Sequence, residues 1–107
     1  MANVNQTISA RPQSAPPVQA DKHASAALAR AAALHLEDRR EEALSVLNGA
    51  IDAGESEAEL FSARALLQYE LGQFAEAASG YEQVLSLHPQ HPTAPYNLAV
   101  CYERLGR

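Results

Sequence analysis

The residues of this 107-residue chain with potential for chemistry are four histidines, one cysteine and several runs of carboxylates. His88 and His91 stand three apart, a spacing at which one helix face can hold a metal ion. Pro89 lies between them, however, and proline disfavours helical geometry at the residue before it. The pair therefore straddles a helix stop. No Cys, Asp or third His is close in the sequence, and the two rings read as part of a solvated loop. Cys101 sits on an apolar stripe with no base placed for it, as a buried small hydrophobe rather than a nucleophile. Glu41-Glu42 and Glu55, Glu57 and Glu59 fit a solvated helix start and a turn. The sequence carries no phosphate-cradling glycine loop, paired catalytic carboxylates or Ser-His-Asp set. These residues predict a chain without catalysis, cofactor or metal. Function should then lie in surfaces, which the elements have to build.

Composition sets the class of those elements. Hydrophobic residues make up 47% of the chain, enough for a core, and alanine is abundant among them. Alanine is the best helix former and lets helices approach closely, so the expectation is all-α packing. A net charge of −5 argues against nucleic acid, whose affinity rests on Lys and Arg neutralising phosphates. It argues equally against an anionic membrane surface, and no apolar run approaches the ~20 residues needed to span a bilayer. One cysteine excludes an internal disulfide and permits a reducing compartment. Many Ala and Arg with a single Lys point to a GC-rich, bacterial gene and a cytoplasmic product.

Residues 1–22 are rich in Ala, Ser, Gln and Pro and poor in large apolar groups. They predict a disordered arm, since so little apolar surface cannot offset the entropy of ordering. A secretion signal does not fit, because no basic start precedes an apolar run. A helical pattern begins at Ala24 with Leu28, Ala31, Ala32 and Leu34 to Leu36 and stops at the charged cluster Glu37 to Arg40. A second stretch carries Ala43, Leu44, Leu47, Ala50 and Ile51 on one face and ends at Gly54. Glu57 to Leu71 is the third helix and Phe74 to Leu87 the fourth, each with apolar residues at three- and four-residue steps. Pro92 to Pro95 opens a fifth, proline being well tolerated in a first turn. Along it run Tyr96, Leu98, Ala99, Cys101, Tyr102 and Leu105.

Shifting the sequence against itself by 34 residues superposes Ala31, Ala65 and Ala99, Arg30 and Arg64, Glu42-Ala43 and Glu76-Ala77, and Leu71-Gly72 and Leu105-Gly106. A helix pair repeating at this period resembles the tetratricopeptide repeat. The resemblance covers residues 23–107, as repeats 24–57 and 58–91 and a partial repeat 92–107. The middle copy is closest to the family pattern. It has Ala65 in the first helix, Gly72 at the turn, Phe74 after it, Ala77 and Tyr81 in the second helix, and Pro89 at the close. The first copy departs from it, with Asp38 for the turn glycine, Arg40 for the aromatic, Leu47 for the tyrosine and Glu55 for the proline. Packing between and within repeats is assigned to Ala31, Ala43, Ala65, Gly72, Phe74, Ala77, Tyr81, Pro89 and Ala99.

The resemblance implies a right-handed α-solenoid of about two and a half helix pairs. The first helix of each pair would line a concave face that binds a protein or peptide. That face would carry Ser25, Leu28, Ala32 and His35, then Glu59, Ser62, Leu66 and Tyr69, then Thr93, Tyr96, Val100 and Glu103. Tyr69 and Tyr96 are the expected anchors, since a large ring gives contact area at small entropic cost. Family members that clamp a C-terminal carboxylate use Lys, Asn and Arg. The corresponding Leu28, Ala32, Leu66, Thr93 and Asn97 supply no such charge, so that activity is rejected. The fifth helix carries more apolar groups than one contact face needs. It predicts either continuation of the array or a homodimer through that helix. An interaction scaffold is the first reading. The alternatives are the regulatory or targeting segment of a larger enzyme, and a chaperone for secreted proteins.

Overall fold

Left-handed residues at fixed spacing punctuate the backbone. Asp38 (φ 64°), Gly72 (φ 81°) and Gly106 (φ 81°) occupy equivalent places, each closing a helix that runs up to it. At the first, Asp38 N–H bonds to His35 C=O at 2.9 Å and Arg39 N–H to Leu34 C=O at 2.9 Å. At the second, Gly72 N–H bonds to Tyr69 C=O at 3.0 Å and Gln73 N–H to Gln68 C=O at 2.7 Å. This double closure satisfies the helix's last carbonyls. The aspartate in the first copy thus makes the same turn as the glycine in the second, the short polar side chains being the non-glycine residues that visit this region most readily.

A computed structural model describes residues 15–106, with side chains from Ala26 onward. The helices are α1 (Ala15–Leu36), α2 (Arg40–Asp52), α3 (Ala58–Glu70), α4 (Phe74–Leu87) and α5 (Ala94–Arg104). Among the described residues there is no strand. Four helix starts match the sequence expectation to within a residue or two, and α1 does not. It begins at Ala15, so residues 15–22, assigned above to a disordered arm, are helical. The physical reason is that Pro16 and Pro17 fall in the first turn, where a missing N–H breaks no hydrogen bond. No glycine or further proline stands between them and Leu36. The remainder of the expected arm lies outside the described residues.

Each helix packs on the next, and α1 also touches α3. The core forms two clusters. Ala31, Ala43, Leu47, Leu60 and Leu67 join α1, α2 and α3, while Phe61, Ala65, Ala77, Tyr81, Val84 and Cys101 bind α3, α4 and α5. Ile51 packs against both. Helices α3 and α4 approach closely. A Cβ added to Gly80 would lie 3.0 Å from Ala65 Cβ, so two helix backbones meet there through a glycine and an alanine. Ala65, Ala77 and Ala43 are fully buried and Ala31 nearly so.

Three of the residues assigned to packing are exposed, Gly72 at its turn among them. Ala99 is on the surface because, among the described residues, the flank covered by α2 at Ala31 and by α4 at Ala65 has no helix laid over it at α5. Pro89 is also exposed and acts through the backbone instead. It leaves His88 outside helical geometry (φ −143°, ψ 81°), as the residue before a proline tends to be.

Candidate protein-binding groove

The odd-numbered helices share one side of the array, and two shallow depressions run along it. The first, of about 280 Å³, lies between α1 and α3 and is lined by Leu28, Ala31, Ala32, His35, Leu47, Ala63, Leu66 and Leu67. The second, of about 200 Å³, lies between α3 and α5 and is lined by Leu66, Tyr69, Tyr81, Tyr96, Asn97 and Val100. Leu66 belongs to both and is 41% exposed, so the two join across α3 into one apolar groove. Tyr96, 73% exposed, stands at its edge.

Seven of the residues expected on the binding face meet here: Leu28, Ala32, His35, Leu66, Tyr69, Tyr96 and Val100. Glu59, Ser62 and Glu103 line neither depression. They sit on the same helices, but Glu59 turns toward His91, with Oε2 3.3 Å from its Nε2. Glu103 is exposed and Ser62 half-buried. Sequence reasoning gave Tyr81 a packing role alone. It packs, being 2% exposed, and also shapes the groove wall from α4. Burial, opposed in part by a hydrogen bond from Asn97, pushes its phenol up to about 12, so it is neutral at any ordinary pH. Leu47, Leu67 and Ala63 were missed as lining residues. Ala63 lies three before Leu66, a spacing that was available as a signal.

His35 and Tyr69, one from each depression, belong to side-chain clusters that repeat at the same positions with different chemistry. In the first, Glu70 Oε1 takes hydrogen bonds from His35 Nε2 at 2.6 Å and Arg40 Nε at 2.8 Å. Arg40 also pairs with Asp38 at the turn. Burial alone would raise the Glu70 carboxyl, but the bonds from Arg40 and His35 outweigh it and hold the carboxyl below its usual range. In the second cluster Tyr69 and Phe74 meet edge to face, centroids 5.3 Å apart. The Arg104 guanidinium lies 5.7 Å from one ring and 5.5 Å from the other. His35, Arg40 and Glu70 correspond one by one to Tyr69, Phe74 and Arg104 under the repeat shift. The departure at Arg40 from the aromatic pattern is thus compensated by ionic partners. A ring-and-cation contact is replaced by a carboxylate bridged by two nitrogen donors.

His91 departs from the solvated loop expected of it. It is 6% exposed, and its Nδ1 accepts the N–H groups of Thr93 and Ala94 at 3.2 and 3.1 Å. His88 is exposed, with its ring edge-on to His91 at 5.7 Å between centroids. Burial raises the Cys101 thiol, which is 0% exposed.

Residues 62–107, from the second turn of α3 onward, match the family model of the tetratricopeptide repeat. Over these residues the chain carries the tetratricopeptide repeat pattern. The matched segment holds the close helix crossing at Ala65 and Gly80, both the Gly72 and Gly106 turns, and the α3–α5 depression. The copy formed by α1 and α2 lies before it and shares its turn geometry and its buried alanines. Repeats of this family generally mediate protein–protein interactions. No curated protein matches the chain. No described helix is long and apolar enough to cross a membrane.

Proposed function

We propose that this tetratricopeptide repeat protein is a non-catalytic scaffold that holds an apolar peptide segment of a partner protein along the α1–α3–α5 groove. The observation that carries the reading is the joining of the two depressions at Leu66, with large exposed apolar groups at its centre and edge and His35 as the one titratable group other than tyrosines lining it. Such a surface gains from excluding water from apolar contacts and offers no charged clamp for a terminal carboxylate. Tyr69 and Tyr96 supply rigid rings, and Asn97 offers one amide to a peptide backbone. Nothing in the groove calls for a catalytic step. Its histidine is tied to Glu70, and the chain's thiol is buried away from it in the α4–α5 core, held in the protonated form. The absence of a charged clamp and the apolar lining together favour partners presenting two large apolar residues a helix spacing apart, about 8–10 Å.

The test is selection from a displayed peptide library on the intact chain, followed by titration of a selected peptide. Leu66→Glu places a charge at the junction of the depressions and should weaken the peptide by tenfold or more. Tyr96→Ala should cost about 2 kcal/mol, the scale of an interface anchor. Unchanged affinity in both variants, with helicity intact, would refute the assignment. So would amide shifts on peptide addition that avoid α1, α3 and α5.

A further inference from the structure

The two ring nitrogens of His91 have different partners. Nδ1 faces the Thr93 and Ala94 N–H groups, which can only donate, so this nitrogen must present a lone pair. Nε2 faces Glu59 Oε2 at 3.3 Å and must carry the proton. The neutral imidazole with its hydrogen on Nε2 satisfies all three contacts. The ring thus takes the place of a helix cap at α5, where Thr93 itself makes no side-chain cap bond. It ties the start of α5 to α3.

We propose that His91 is a proton-operated latch on α5: the neutral ring holds the helix's first turn, and protonation releases it. A protonated imidazole donates from both nitrogens, so Nδ1–H would point at two N–H groups in a nearly closed space.

The charged groups around the ring decide the direction. From α3, Glu59 favours the cation, but its side chain is 66% exposed and water screens the pair. From the end of α4, His88 lies edge-on to the ring. From α5, the positive end of the helix disfavours a cation, and its first turn carries no acidic residue. Protonation sets Nδ1 against both of its amide partners, whatever the exposed carboxylate contributes at Nε2. Release would disturb Tyr96, Asn97 and Val100, one to two turns along. That consequence rests on the groove reading, and the latch itself does not.

Nuclear magnetic resonance on the full chain, with no peptide added, tests it. At about pH 7.5, ring nitrogen signals of His91 should show an unprotonated Nδ1 and a protonated Nε2. Between about pH 7.5 and pH 5, through the range where histidine takes up a proton, exchange protection at Thr93 and Ala94 should fall roughly tenfold after correction for intrinsic rates. That is the size of a lost cap. His91→Asn, whose amide oxygen accepts without titrating, should keep its protection level over the interval, and His88→Asn should respond as wild type does. A proton on Nδ1 at the higher pH overturns the proposal. So does wild-type protection that ignores pH, or an equal fall in His91→Asn. The tautomer reading needs no variant to fold, and none of these readouts depends on a bound peptide, so the latch and the groove fail separately.

Discussion

Replacing Gly80 by alanine sets two opposed effects against each other at a close contact between α3 and α4. Alanine in a helix interior gains about 1 kcal/mol over glycine by restricting the unfolded chain and by propensity. At Gly80 the new methyl would stand 3.0 Å from Ala65 Cβ, with Ala65 Cα and Phe61 C=O each at 3.7 Å. None of these is the far end of a flexible side chain, so α3 and α4 must separate by some tenths of an ångström. Overpacking of this kind costs about 1–3 kcal/mol. The net effect of Gly80→Ala is therefore between no change and a loss of about 2 kcal/mol. Gly49, exposed in α2 with nothing within 4 Å of an added Cβ, isolates the favourable part, and Gly49→Ala should stabilise by about 0.5–1 kcal/mol. Urea unfolding followed by far-ultraviolet circular dichroism should place the two variants about 1–3 kcal/mol apart, with unchanged slopes. For a domain of this size each kcal/mol corresponds to about 4–8 °C in Tm. Adding Ala65→Gly to Gly80→Ala should recover part of the loss, since it removes the opposing methyl. Equal stability of the two single variants, within about 0.5 kcal/mol, would show that the helices are not held at that crossing.

Two further outcomes follow from the turns and the core. Gly72→Ala should destabilise by about 1–2 kcal/mol, because φ 81° is costly for an L side chain although nothing crowds the site; thermal unfolding that matches wild type would contradict the assigned turn. Alkaline unfolding should begin above pH 10. Tyr81 is held near 12 in the folded chain against its ordinary value of 10.0, so the folded state binds more protons between the two. Its stability contribution is complete below 10 and falls by about 1.4 kcal/mol per pH unit as pH rises through 12. Tyr81→Phe should flatten that slope in urea titrations at stepped pH, and an unaltered slope would assign it elsewhere.

Local periodicity made much of this molecule legible beforehand. Helices α2 to α5 announce themselves through apolar residues recurring every three or four positions, and their stops through Gly54, Gly72 and Pro89, because these are effects among residues within one or two turns. The 34-residue register found the small residues of the helix crossings, Ala31, Ala43, Ala65 and Ala77. It also paired Asp38 with Gly72 before any backbone angle was known. The start of α1 escaped the same reasoning, since residues 15–22 carry no apolar stripe to mark them.

Contacts across helices were decided by the tertiary structure. Gly80 reads in sequence as a weak helix residue, and only the angle at which α4 crosses α3 sets it against Ala65. His91 reads as a loop histidine until α5 turns its first two amides toward Nδ1. Arg40 looks like a defect in the repeat, yet Glu70, thirty residues on, brings the carboxylate that makes it a substitute. Ala99 satisfies the repeat pattern and is nonetheless exposed, because burial depends on a neighbouring helix and not on the residue's own identity. The amino-acid order thus determined which helices form and how they are spaced, through short-range sterics and backbone hydrogen bonding. Which side chains meet across them, and hence the groove joined at Leu66, depended on packing geometry between residues distant along the chain.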